Sequence, residues 1–218
     1  MTLEEIAQDL GIELENRILG ALVNNKLKEL SYMVYKNKNI EFIDLSHPDG
    51  RRMYIRSLMF ILYAAVREVM PGVTLKISHG ISNGYYAELH GLESEVTDSD
   101  VFAILEEMNS IIGHDYPFEK KGYPTPELVG LLKQQGLSGK AHLFEQQGSL
   151  YSFAYFMNGL ANFFYGHLVP STGYITRFGI EKYYDGILIR VPHPQDVTTL
   201  MAQLGVQVPP FADPQVVQ

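Results

Sequence analysis

Gly80-Ile81-Ser82-Asn83-Gly84, followed by Tyr85-Tyr86-Ala87-Glu88-Leu89, carries the G-x-S-x-G spelling of a nucleophile elbow. Such an elbow follows a buried strand and opens a helix, because the sharp turn and the helix N-terminus expose the serine beside its oxyanion donors. Tyr85 to Leu89 lacks helical periodicity and reads as a strand. With Val73-Thr74-Leu75-Lys76-Ile77 before it, the segment predicts a hairpin around a glycine loop. That choice moves the fold class from α/β to α+β with a mainly antiparallel sheet.

The flanking sequence supports the same class. Leu3, Ile6, Ala7 and Leu10 recur at helical spacing after Thr2, an N-cap residue, and Gly11 closes the helix. Ala21-Leu22-Val23 runs into the turn signal Asn24-Asn25, and Ile40 to Leu45 alternates apolar and acidic residues; both predict strands. His47-Pro48-Asp49-Gly50 reads as a turn and a domain boundary. Arg51 to Met70 predicts one long helix stopped by Pro71-Gly72, and Thr97 to Asp100 offers caps for a helix through Ile112. Thr125-Pro126 opens another helix, which runs to Gln135-Gly136. Leu150 to Pro192 reads as strands rich in Tyr and Phe: either a half-buried sheet or a ligand-stacking surface. Residues 196–218 are expected to form a tail or linker.

Composition narrows the function. The 218 residues hold 25 acidic and 17 basic side chains, a formal charge of −8, which disfavours a free-standing binder of duplex nucleic acid. A local basic patch around Lys36, Lys38, Arg51 and Arg52 leaves RNA binding as a minor alternative. There is no cysteine, so disulfides and thiolate chemistry are excluded and a reducing cytoplasm is compatible. The N-terminus lacks a signal-peptide pattern, and the longest apolar run, Met59 to Val66, is too short to span a membrane; a cytoplasmic protein without a membrane partner is expected. The seven histidines (His47, His79, His90, His114, His142, His167 and His193) share no three- or four-residue spacing, so no metal site or cofactor is expected. Gly136 to Ala141 imitates a phosphate loop, but the glycine spacing is short and Ala141 lacks the magnesium-binding hydroxyl.

The succession of small sheet-and-helix module, long helix, Asn83-Gly84-Tyr85-Tyr86, Val96 to Asp100, and Val169-Pro170-Ser171-Thr172-Gly173 resembles the N-terminal region of threonyl-tRNA synthetase. There a small ubiquitin-like TGS domain precedes the editing domain, the second additional domain, that removes mischarged serine. The resemblance implies a TGS-like domain over 1–48, without its opening hairpin, and an editing-like α+β domain over 49–195. The editing family carries H-x-x-x-H on the long helix and C-x-x-x-H before the Pro-Ser-Thr-Gly loop, a cluster suited to water activation. Here the first pair of positions holds Arg56 and Phe60, and the second holds Phe164 and Leu168. The family's aspartate position is Asn162, and Lys140 loosely matches a family lysine. No catalytic residue is therefore assigned. With Tyr183-Tyr184-Asp185-Gly186 and the apolar strand after it, the chain also resembles the N-terminal part of uridine kinase-like nucleoside kinases, which implies a P-loop kinase domain downstream as partner.

The expected function is a non-catalytic accessory or regulatory module. Arg56, Tyr85, Tyr165, His167 and Ser171 are expected to line a residual cleft for a small anionic ligand or nucleotide, since a guanidinium recognises phosphate and carboxylate bidentately. The alternative role for Arg56 is an ion pair with Asp or Glu from a neighbouring strand. The enzyme alternative is a deacylase or esterase using His167, Ser171 or Ser82, which requires a histidine within reach of a serine hydroxyl.

Overall fold

A computed structural model describes residues 1–81, 84–92 and 94–191. The described chain is α+β, and every strand pair is antiparallel. It forms two compact units, one of residues 1–60 with 114–174, the other of the described residues of 61–113 with 175–191. Ser82, Asn83 and the expected tail at 196–218 lie outside the described residues.

The first unit begins with α1 (Leu3–Asp9), where the Thr2 hydroxyl accepts the Glu5 amide and the Glu5 carboxylate accepts the Thr2 amide, a capping box. Strand β1 (Gly20–Val23) turns at Asn24 and Asn25, both left-handed, into β2 (Lys26–Lys28), and β3 (Ile40–Ile43) pairs on the other side of β1. The long helix α2 (Pro48–Val69) is interior nearly all round, with Met53, Tyr54, Leu58 and Phe60 buried before residue 61. Further along, β6 (Glu119–Pro124), β7 (Tyr151–Met157) and β8 (Leu160–Asn162) form a sheet in that order. One face of it packs on α4 (Thr125–Gln134) and α5 (Ser138–Gln147) through Leu128, Leu132, Phe144, Ala154 and Ala161.

The second unit takes the rest of α2, with Leu62, Ala65 and Val66 buried, and a sheet in the order β4-β5-β10-β9. Its strands are β4 (Thr74–Ile81), β5 (Gly84–His90), β9 (Gly179–Tyr183) and β10 (Gly186–Arg190), with α3 (Asp98–Gly113) against β9. Tyr85 to Leu89 pairs with β4 on one side and β10 on the other, so the element after the glycine-rich stretch is a strand, where a nucleophile elbow requires a helix. The Thr97 hydroxyl and Asp100 carboxylate exchange bonds with each other's amides at the start of α3.

One expectation is corrected. His47 to Gly50 is not a free turn: α2 already starts at Pro48, whose missing N–H costs nothing in a first turn, and His47 Nδ1 accepts the Asp49 amide at 3.1 Å. The stretch imitating a phosphate loop opens α5, while β2 and β6 escape a pattern reading because they are short or charged and owe their strand state to pairing. Among the described residues no helix is long and apolar enough to cross a membrane.

Candidate functional site

Four residues of the first unit converge: Arg56 and Phe60, one turn apart on α2, and Phe164 and Leu168, on the irregular chain after β8. The Phe60 ring is fully buried and meets Phe164 at 5.6 Å between centroids and Phe118 at 5.7 Å. Leu168 is 1% exposed. The segment is fixed to α2 by the buried Ser57 hydroxyl, which donates to the Met53 carbonyl and accepts the Val169 amide, both at 3.0 Å. Phe60 and Phe164 thus pack together, and none of Phe60, Phe164 and buried Leu168 offers a proton-transfer group.

Arg56 forms the polar side of this group. Its Nη1 donates to the His167 carbonyl at 3.4 Å, its one direct polar contact among the described residues. Burial depresses the guanidinium's pKa, and nearby Arg52 adds to the effect. The expected ion pair with a strand carboxylate is not formed: Glu29, the carboxylate of this cluster, is taken by the Tyr155 hydroxyl and by His167 Nδ1, 3.1 Å away. Burial raises the Glu29 pKa, but the hydrogen bonds from His167 and Tyr155 outweigh it and hold the carboxyl below its ordinary value.

The other expected site residues divide. His167 joins Arg56 through its carbonyl and Glu29 through its ring. Tyr165 is 70% exposed and sets its edge against Phe163, 4.8 Å between centroids. Ser171 donates its hydroxyl to Asp115, whose same oxygen accepts the Gly173 amide at 2.9 Å, so the Pro-Ser-Thr-Gly loop is clasped to the chain at 115–118. Tyr85 belongs to the second unit, on β5 opposite Ile189. His167 and Ser171 therefore engage separate carboxylates rather than each other. His79 Nδ1 and the Ser78 hydroxyl, neighbours on the exposed β4, lie 3.1 Å apart.

Lys140, on the first turn of α5, reaches into the same neighbourhood. Its Nζ donates to Asn162 Oδ1 at 2.5 Å and to the Phe163 carbonyl at 2.9 Å, and lies 4.6 Å from the Phe164 ring centre. Burial pushes its pKa down to about 8. Glu29, Tyr155 and Asp115 carry no sequence signal for their roles, since each acts on a partner far along the chain. No group of three or more metal-ligating side chains occurs among the described residues.

No family model matches the chain. It is similar to threonine-tRNA ligases: 29% identical over 177 residues to that of Caldanaerobacter subterraneus subsp. tengcongensis, covering 80% of this chain and 27% of the ligase. It is 29% identical over 180 residues to that of Fusobacterium nucleatum subsp. nucleatum (81% and 29%), and 28% over 187 residues to that of Janthinobacterium sp. strain Marseille (84% and 29%). The chain spans little more than a quarter of the length of these relatives. The similarity supports a threonyl-tRNA synthetase-like domain, and the described fold is α+β with antiparallel sheets.

Proposed function

We propose that the chain is a non-catalytic, editing-like module that binds a small anionic group beside Arg56. What supports this reading is the filling of the converging positions: Phe60, Phe164 and Leu168 pack where water and a base would be needed, while Arg56 keeps a guanidinium that contacts only a carbonyl among the described residues. Residues 1–48 are read as a TGS-like domain, 49–195 as the editing-like domain, and the whole as an accessory region of a nucleoside kinase. The kinase part of the reading rests on the Tyr183-Tyr184-Asp185-Gly186 resemblance alone. Thermal-shift titration with inorganic phosphate tests the anion site: stabilisation is expected, and Arg56→Ala abolishes it without lowering the melting temperature of the free protein by more than a few degrees. Absence of any shift overturns the ligand-binding reading.

A second reading, an aminoacyl-tRNA deacylase using other residues, is favoured by one observation: a Lys140 amine with a pKa near 8 is partly neutral at physiological pH and able to accept a proton. Seryl-tRNA hydrolysis above background, lost in Lys140→Met, is its signature.

A further inference from the structure

The sheet β6-β7-β8 buries one face, and its other face has no such cover along its full length. Ser152 and Ala154 point toward the helices, Ser152 bonding Thr125 at 2.8 Å, so Tyr151, Phe153 and Tyr155 take the opposite face by strand alternation. Across the ladder they face Pro124, Gly122 and Lys120. β8 pairs only with Tyr155 to Met157, leaving room beside the first half of β7. A groove of about 290 Å³ lies there, lined by Lys120, Tyr151, Phe153, Tyr155, Phe163 and Phe164 among others.

Three features of this groove point to one ligand chemistry. Phe153 is 59% exposed although it lies mid-strand, and a Cβ on Gly122 would sit 3.1 Å from its ring. The glycine therefore lets the ring lie over β6 with its other face open, a stacking platform. Second, no Asp or Glu lines the groove, in a chain with 25 of them. Third, Glu119 pairs with Lys121 at 2.6 Å, which leaves the Lys120 ammonium, 5.6 Å from the Tyr155 ring centre, at the groove, attracted through space to the Glu29 carboxylate behind Tyr155. The volume is at the lower end of small-molecule sites.

We propose that this groove binds a small flat aromatic anion, its ring stacked on Phe153 and Tyr151 and its charge met by Lys120. The shared chemistry belongs to aromatic carboxylates and nucleoside monophosphates alike. Titration of the full chain with 2-naphthoate and with uridine 5′-monophosphate, followed by saturation-transfer NMR and calorimetry, distinguishes the two sources. At least one saturates with Kd of about 1 mM or below. Phe153→Ala raises that Kd about tenfold, Lys120→Ala raises it several-fold, and Lys120→Arg restores it; both side chains are exposed, so folding is not at stake. Saturation by one probe alone assigns the source. The groove fails as an aromatic-anion site if neither probe saturates, if decahydronaphthalene-2-carboxylate binds as well as 2-naphthoate, or if Phe153→Ala leaves Kd unchanged. An unchanged Kd in Arg56→Ala separates this site from the anion site proposed at Arg56, whereas loss of binding in that variant moves the ligand to Arg56 and overturns the groove. Single-stranded RNA hexamers binding more than tenfold tighter than the monophosphate overturn the small-molecule assignment.

Discussion

The Arg56 guanidinium lies directly over the α-carbon of Gly166: a Cβ there would come within 2.6 Å of Arg56 Cζ. Gly166 also holds φ +125, a conformation other residues rarely adopt. The loop after β8 and the Arg56 side chain of α2 are thus fitted to each other at one residue.

Gly166→Ala is expected to cost about 1–2 kcal/mol, mainly from backbone strain, because the guanidinium is the free end of a flexible side chain and gives way. The same cost, within about 0.5 kcal/mol, is expected in an Arg56→Ala background. Urea denaturation of the four proteins measures it; strong coupling would mean that the guanidinium is held rigidly instead. The anion response of Arg56 should weaken in Gly166→Ala, since its position over the loop is lost.

Ser57→Ala leaves the Val169 amide without its acceptor inside the core, a loss of about 1–3 kcal/mol. Hydrogen exchange at the Val169 amide should accelerate along with the drop in denaturation midpoint. Slow exchange with unchanged stability would show that another acceptor replaces the hydroxyl.

Acid should loosen the cluster around Glu29. Its folded pKa lies below the ordinary 4.5, so the carboxylate contributes stability above that value and loses it as pH falls through the folded pKa. Glu29→Gln should flatten this part of the acid limb while lowering stability at pH 7. Parallel acid limbs in the two proteins would remove Glu29 from the cause.

Lys140 has the opposite dependence. Its pKa is depressed to about 8 from an ordinary 10.5, so between those values the unfolded chain binds more protons and stability rises with pH. The penalty is fully present below about pH 8. Denaturation midpoints measured from pH 7.5 to 9.5 should rise more steeply in the native chain than in Lys140→Met, and equal slopes would count against burial as the cause.

What the sequence determined was the local chemistry. Thr2 before Leu3, Asn24-Asn25 between strands, Thr97 with Asp100, and Pro126 after Thr125 each act on backbone groups within about four residues, so their consequences are legible without the rest of the chain. The placing of Arg56 and Phe60 on one side of a helix is legible for the same reason. Tertiary structure alone decided that β6, with its lysines and glycine, becomes a strand, that the residues around Gly139 become a helix, and that Phe60 rests on Phe164. It also decided that Glu29 serves Tyr155 and His167, and that Arg56 meets a carbonyl instead of a carboxylate. The pairings of Phe60, Glu29 and Arg56 bring together side chains more than a hundred residues apart, and no short-range torsional preference encodes such a pairing.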